Sequence, residues 1–561
     1  MTVSQRLLRR LALINVFAST IPMLTVANSA LPDKSPDPAP AHTARFSPAT
    51  FKFHQQADRI TEILIYAMVI FSPWAFGCTN SQALLNLKIF GVTQAWTIWA
   101  MNFAGYVLGG LLLTKLAVNF RTGQRPPRWG DPVSDEPPAQ NPLATLLQRA
   151  AAPVLALLTV AILLYCLVSA VNVRANYRPD LFSFEYFDHY VSWLPHSYDG
   201  QNSWIAFWNY LGLAGAFWGF GGWLLGKTSG EIRAGRKAAT AASFSQVTLL
   251  PERLRRLLWV LSINGAMLGI EGFIQRLSGT DKLLWFYTTN TNHDAQDQFG
   301  PYAYRSNAAQ YFNLLWPVAL GFWWTLRRAA HLTAGKTGQT GSRRHQLLLP
   351  AVMIMAICPI ISMSRGGAII ALVNLALAAL ILMAALKRAH GATKFGLFVF
   401  VLAILYVGFA VGGEKLGDRM KEQGLHDVTR EQMYEVGRAM AAEHPVIGSG
   451  PGSFNMLFQF YRTSREEYWG AQLHNDWLET RITFGWVGSA LIAAALLVIA
   501  MRRYLPGGIQ CGWRFAALIW VGLIGCLAHA RFDFPFQIYS ILFLFLVLCA
   551  ILFNLSRSSA R

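Results

Sequence analysis

The chain is a succession of long apolar runs separated by shorter polar connections. A bilayer core about 30 Å thick is crossed by about 20 apolar residues in helical form. Twelve runs approach that length: 60–77, 95–116, 150–171, 204–226, 257–275, 308–326, 347–363, 367–386, 395–412, 482–500, 515–530 and 537–555. The pattern predicts an all-α polytopic membrane protein with about 12 transmembrane helices and one large outer-side loop, 413–480, containing short helices. Four segments follow: 1–58, a hydrophobic N-terminal stretch and Pro/Ala-rich linker; 59–412, the first nine spans; 413–480, the large loop; and 481–561, the last three spans with a short tail.

The connections alternate in charge. Alternate ones carry Arg121, Arg125 and Arg128; Lys227, Arg233, Arg236, Lys237, Arg253, Arg255 and Arg256; Arg327, Arg328, Lys336, Arg343 and Arg344; Lys387, Arg388 and Lys394; and Arg502, Arg503 and Arg514. The positive-inside rule assigns these, and the C-terminus, to the cytoplasm. The others then face outward, among them 172–203, 276–307, the 364–367 turn, and 413–480, which carries more acid than base. Residues 6–28 resemble a signal peptide. A cleaved signal or an extra span would invert every later loop against its charge, so a cytoplasmic or interfacial N-terminal segment is expected, with an upstream start-site assignment as the other explanation.

Composition sharpens this picture. Of 561 residues, 53% are hydrophobic and 14% charged, against about 25% charged in soluble domains. Mean hydropathy is +0.33. The 19 Trp and 36 Phe suit a membrane core and its interfacial belts. A net charge of +19 would suggest nucleic acid in a soluble protein. Here the basic residues sit in short loops facing anionic headgroups, so membrane lipids are the expected partners and nucleic acid is not. Cys78, Cys166, Cys358, Cys511, Cys526 and Cys549 show no CxxC spacing and are expected as buried thiols.

Polar groups at membrane depth are costly and mark the candidate chemistry. Arg365, in Ser364-Arg365-Gly366-Gly367 between two apolar runs, is either a snorkelling arginine or an anion site whose guanidinium suits phosphate oxygens. In the large loop, residues 428–443 predict a helix with Arg430, Tyr434 and Arg438 on one face. Each arginine is either a ligand contact or half of a surface ion pair with Glu431, Glu435 or Glu443. The glycine-rich turn at 447–452 has the flexibility to cradle a phosphate but is not a P-loop. His474 and Asn475 stand where the loop re-enters the membrane, with Glu479 close enough in sequence to orient the imidazole. Histidine is the side chain best suited to take a proton from a hydroxyl near neutral pH, so His474 is the candidate base. Two further segments, 300–307 with Arg305 and 529–535 with Asp533, are either supporting elements of the site or interface anchors. HExxH, DxD and GxSxG patterns are absent from the sequence, so no metal or other cofactor is expected.

Taken in order, these motifs resemble the O-antigen ligase/polymerase superfamily. The matching pieces are Pro73-Trp74-Ala75-Phe76-Gly77, Tyr304-Arg305-Ser306-Asn307, SRGG at 364–367, Arg430 ahead of HPVIGSGPGSF at 444–454, HNDWLE at 474–479, FGWVG at 484–488 and DFPFQ at 533–537. The resemblance implies transfer of a glycan from an undecaprenyl-diphosphate carrier to a hydroxyl acceptor, without metal, on the outer face of the bacterial inner membrane. It implies His474, Arg430 and Arg365 as catalytic residues with Asn475 beside them, and Arg305, Arg438, Glu479 and Asp533 are expected in addition to contact substrate. The acceptor differs within the superfamily: lipid A-core for ligases, the growing glycan for polymerases, protein for O-oligosaccharyltransferases. The competing class is a transporter, for which the concentration of polar groups at one face and in one large loop is less suited.

Overall fold

The computed structural model describes residues 48–557 apart from 81–83, 132–141, 241–249, 290–291, 338–342, 386–390, 424–427, 462–471 and 506–507. Residues 1–47, which hold most of the N-terminal hydrophobic segment and linker, lie outside the described residues. The chain is overwhelmingly helical. In order the helices are α1 (Pro48–Trp74), α2 (Trp96–Thr122), α3 (Pro142–Val171), α4 (Gly200–Leu224), α5 (Ser229–Thr240), α6 (Glu252–Ser278), α7 (Arg305–Thr337) and α8 (Leu348–Ile361). There follow α9 (Arg365–Ala385), α10 (Gly391–Gln423), α11 (Val428–Glu443), α12 (Phe454–Phe458), α13 (Asp476–Arg502), α14 (Trp513–His529) and α15 (Tyr539–Asn554). Short strand pairs lie between or after the helices, for instance the hairpin of Ala175–Arg178 with Ser183–Tyr186.

Each of the twelve apolar runs falls on a helix, and the helix expected over 428–443 is α11. Helices α2, α3, α6, α9 and α13, and the stretch Arg344–Ile361 that contains α8, are long and apolar enough to cross a membrane. Phe398–Ala410, α14 and α15 are apolar but shorter. Some helices outrun their apolar runs: α10 continues to Gln423, so residues 413–423 extend a helix into the segment expected as loop.

Helix α15 is buried along nearly its whole length, and α7 is buried from Ser306 to Trp323; together they form the centre. The outer helices show water-insoluble faces instead. Leu157 on α3, Leu277 on α6 and Leu380 on α9 are 69%, 66% and 65% exposed, a distribution that lipid and not water accommodates. Helices α2 and α4 cross through glycines: a Cβ on Gly105 would stand 2.1 Å from the Gly212 carbonyl oxygen. Such close backbone approach is a recurrent device of membrane helix pairs.

Candidate active site

The starts of α7, α9 and α13 and the turn from α14 to α15 meet at one end of the bundle, joined there by α11. Four tight turns put polar residues at these junctions. Between α8 and α9, Met363 takes a left-handed backbone (φ 59°) and the Ser364 hydroxyl accepts the Gly367 N–H at 3.1 Å, starting α9 at Arg365. At the start of α13, Asn475 is the N-cap, its side-chain oxygen accepting the Leu478 N–H at 3.1 Å. Just before it, His474 also has a positive φ of 57°, a left-handed backbone uncommon outside glycine.

That backbone is held from several directions. Tyr434 on α11 donates its hydroxyl to the His474 carbonyl at 2.8 Å. Glu479, buried, accepts the Leu473 N–H at 3.1 Å. Asp476, also buried, accepts the Phe536 N–H at 2.7 Å and the Gln537 amide at 3.3 Å, locking the start of α13 to the segment before α15. The expected pairing of Glu479 with the imidazole is therefore replaced by a backbone contact. The helix begins at Asp476, and a side chain in its first turn leans back over the preceding backbone.

The imidazole is instead oriented by Asp533. His474 Nδ1 lies 3.2 Å from Asp533 Oδ1. A carboxylate only accepts, so Nδ1 carries a proton, and in the neutral imidazole Nε2 then holds the lone pair. Ser306 donates to Asp533 Oδ2, Ser364 donates to Ser306 at 3.2 Å, and His529 Nε2 stands 3.7 Å from Asp533 Oδ2. Burial of Asp533 favours its neutral form, but the hydrogen bond from His474 and the nearby His474, His529 and Arg430 outweigh it, holding the carboxyl at about 2. The ring is framed by aromatics: His474 lies edge-on to Phe534 at 4.8 Å and to Tyr304 at 6.1 Å, and those two stack on each other.

Two arginines border the same segment. Arg430 donates to the Phe532 carbonyl at 2.9 Å. Arg365 is half-buried at the first position of α9, and its neighbour Gly366 packs on Phe532 and His529, where a Cβ would stand 2.6 Å from the phenyl ring. The structure thus brings His474, Asn475, Glu479, Asp533, Arg430 and the Arg365 turn to one place. Arg305 is close in sequence but committed to an ion pair with Asp297 and to the Gln296 carbonyl at 3.0 Å. Arg438, two turns beyond Arg430, is exposed. Ser306, Ser364 and His529 were visible only as members of short motifs; no spacing rule singles them out, because they meet Asp533 through the tertiary fold.

The glycine-rich turn does other work than cradling phosphate. Helix α13 breaks at Gly485 (φ 60°, ψ −164°), which frees carbonyls that need donors. Ser449 N–H donates to Ile482 O at 2.8 Å and Gly450 N–H to Thr483 O at 3.0 Å, while Trp486 and Val487 donate back to Pro445 and Val446. Gly448 (φ 65°) must lie flat on Thr483, 2.5 Å from a Cβ it lacks. Among the described residues, no group of three His, Cys, Asp or Glu side chains is placed to hold a metal ion.

Residues 350–493 match the family model described as O-antigen ligase. The matched stretch runs from α8 into α13 and holds Arg365, Arg430, Arg438, His474, Asn475 and Glu479; Arg305 and Asp533 lie outside it. No curated protein matches the chain.

Proposed function

The chain belongs to the O-antigen ligase superfamily, and from that premise we propose that it is a lipid-linked glycan transferase whose base is a His474–Asp533 pair and whose diphosphate site is built on Arg365 and Arg430. The observation that carries this reading is the pairing of His474 Nδ1 with a buried, ionised Asp533, at 3.2 Å, next to Arg430. The donor is a glycan on undecaprenyl diphosphate and the acceptor a hydroxyl, at the outer face of the bacterial inner membrane, in a protein of about twelve spans. The basic-loop alternation supports that sidedness.

In the proposed step, the acceptor hydroxyl gives its proton to His474 Nε2 while its oxygen attacks the anomeric carbon. The bond from that carbon to the diphosphate oxygen breaks, and its electron pair stays on the diphosphate. Asp533 stabilises the imidazolium that forms. Arg365 and Arg430 stabilise the charge gained by the phosphate oxygens, with the positive end of α9 adding to the field at Arg365. The product diphosphate leaves on its lipid, and His474 returns its proton to water. A single displacement inverts the anomeric configuration.

Membrane vesicles holding the protein, a lipid-linked glycan and candidate acceptors test this. The expected result is loss of the donor with covalent appearance of its glycan on the acceptor. Movement of a solute across the vesicle wall with the donor chemically intact would establish the transporter reading instead. Separate runs with lipid A-core, growing glycan and protein acceptors assign the branch of the superfamily.

A further inference from the structure

The C-terminal end of α1 reaches the His474 end of the bundle, where the Gly77 carbonyl accepts the Ser540 N–H and Gly77 packs on Tyr302. The start of α1 therefore lies at the opposite end, and there it joins a second buried charge cluster. Asp58 on α1 pairs through Oδ1 with Lys115 on α2, and through Oδ2 with Arg253 on α6 at 2.6 Å. The Lys115 and Arg253 side chains are only 9% and 8% exposed. Arg253 also donates to the Trp223 carbonyl at 2.7 Å and lies over that indole at 5.5 Å. One turn before Asp58, buried His54 faces Asn119, which lies one turn after Lys115.

Among the described residues the charges do not balance. Two nearly buried cations share one carboxylate, and half-buried Arg128 lies within electrostatic reach of the same group. The neighbouring acids among the described residues are committed elsewhere: Asp131 pairs with Arg125 and accepts the Arg128 N–H, and Glu62 pairs with Arg256 at 2.7 Å. A surplus cation withdrawn from water is costly unless an anion joins it. The flanking surface names the anion's carrier. Ile60 and Ile63 on α1 and Leu113 and Leu116 on α2 are exposed apolar residues beside the cluster, so an acyl chain has a face to lie on while its headgroup meets the cations.

We propose that Lys115, Arg253 and His54, around Asp58, form a binding site for the phosphate headgroup of an anionic phospholipid. In this site Asp58 is the internal rival of the lipid phosphate. The site is separate from the transferase centre and its test reads lipid binding, so it stands or falls independently of the proposed reaction.

The full-length protein, stripped of lipid in a neutral detergent, is titrated with dioleoyl phosphatidylglycerol, dioleoyl phosphatidylcholine or inorganic phosphate, and bound lipid and melting temperature are followed by native mass spectrometry and thermal unfolding. Wild type should bind and be stabilised by phosphatidylglycerol in preference to phosphatidylcholine. Lys115→Met should weaken phosphatidylglycerol binding about fivefold, the rough effect of one cation at an anionic lipid surface, and Lys115→Arg should retain it. Asp58→Asn, which removes the rival, should strengthen it by a similar factor. Unchanged or weakened lipid preference in Asp58→Asn would reduce the cluster to an internal staple and overturn the proposal. Stabilisation by inorganic phosphate equal to that by phosphatidylglycerol would overturn the lipid assignment.

Discussion

Replacing Asp533 with Asn keeps the shape of the side chain and removes the charge beneath His474. Asp533 Oδ1 accepts from His474 Nδ1 and from the Phe534 N–H at 3.0 Å, and Oδ2 accepts from Ser306. An amide turned with its oxygen toward His474 keeps those first two bonds, loses the bond from Ser306 because its NH2 can only donate, and loses the stabilisation of the imidazolium. At the observed 3.2 Å and an effective dielectric of about 20, one charge pair is worth about 5 kcal/mol at most. The usual range for general-base catalysis is about 100- to 10,000-fold. Turnover should therefore fall about 100- to 10,000-fold, with donor affinity little changed. Stability changes too. Its carboxyl, ordinarily at 3.8, is held at about 2, which corresponds to about 2 kcal/mol favouring the ionised folded state. Because the folded value is the lower one, this contribution is fully present above about pH 4 and is lost as pH falls through about 2. Asp533→Asn forfeits it at neutral pH and should melt at a lower temperature than wild type. The assay is glycan transfer by purified protein in nanodiscs, run beside donor binding and thermal unfolding. A correctly folded Asp533→Asn protein with near wild-type turnover would refute the orienting role.

Three further outcomes are expected. Arg365→Lys and Arg430→Lys keep the charge but lose the planar fork, so each should weaken donor binding, turnover or both; wild-type values in both assays would remove that arginine from the diphosphate site. Because the groups proposed to meet the diphosphate are arginines, activity should survive exhaustive EDTA treatment, and loss restored specifically by magnesium or manganese would count against the mechanism. Reporter fusions near residue 460 and after Arg561 should report opposite sides of the membrane; matching signals would contradict the twelve-span arrangement.

Helices were legible in the sequence because lipid imposes a simple rule, a run of apolar residues long enough to cross it, and α11 was legible from the spacing of Arg430, Tyr434 and Arg438. Within α11, Arg430 and Tyr434 face His474 and the 532–534 segment, and Arg438, one turn further, is exposed. The partner of His474 was not legible as such. Asp533 lies 59 residues away across two helices, whereas Glu479 is close in sequence and was the natural choice. Nor was the role of the glycine turn at 447–452 legible. Its N–H groups serve carbonyls released by a helix break at Gly485, which in sequence is one glycine inside an apolar run.

The central claim is that His474 takes the acceptor proton while the arginines hold the diphosphate, and His474→Ala separates the two most directly. Inserted into nanodiscs and given the lipid-linked donor, this variant should bind donor with near wild-type affinity and transfer glycan about 100-fold more slowly or worse. Correctly inserted His474→Ala protein that transfers at near wild-type rate would contradict the account and return His474 to a structural role.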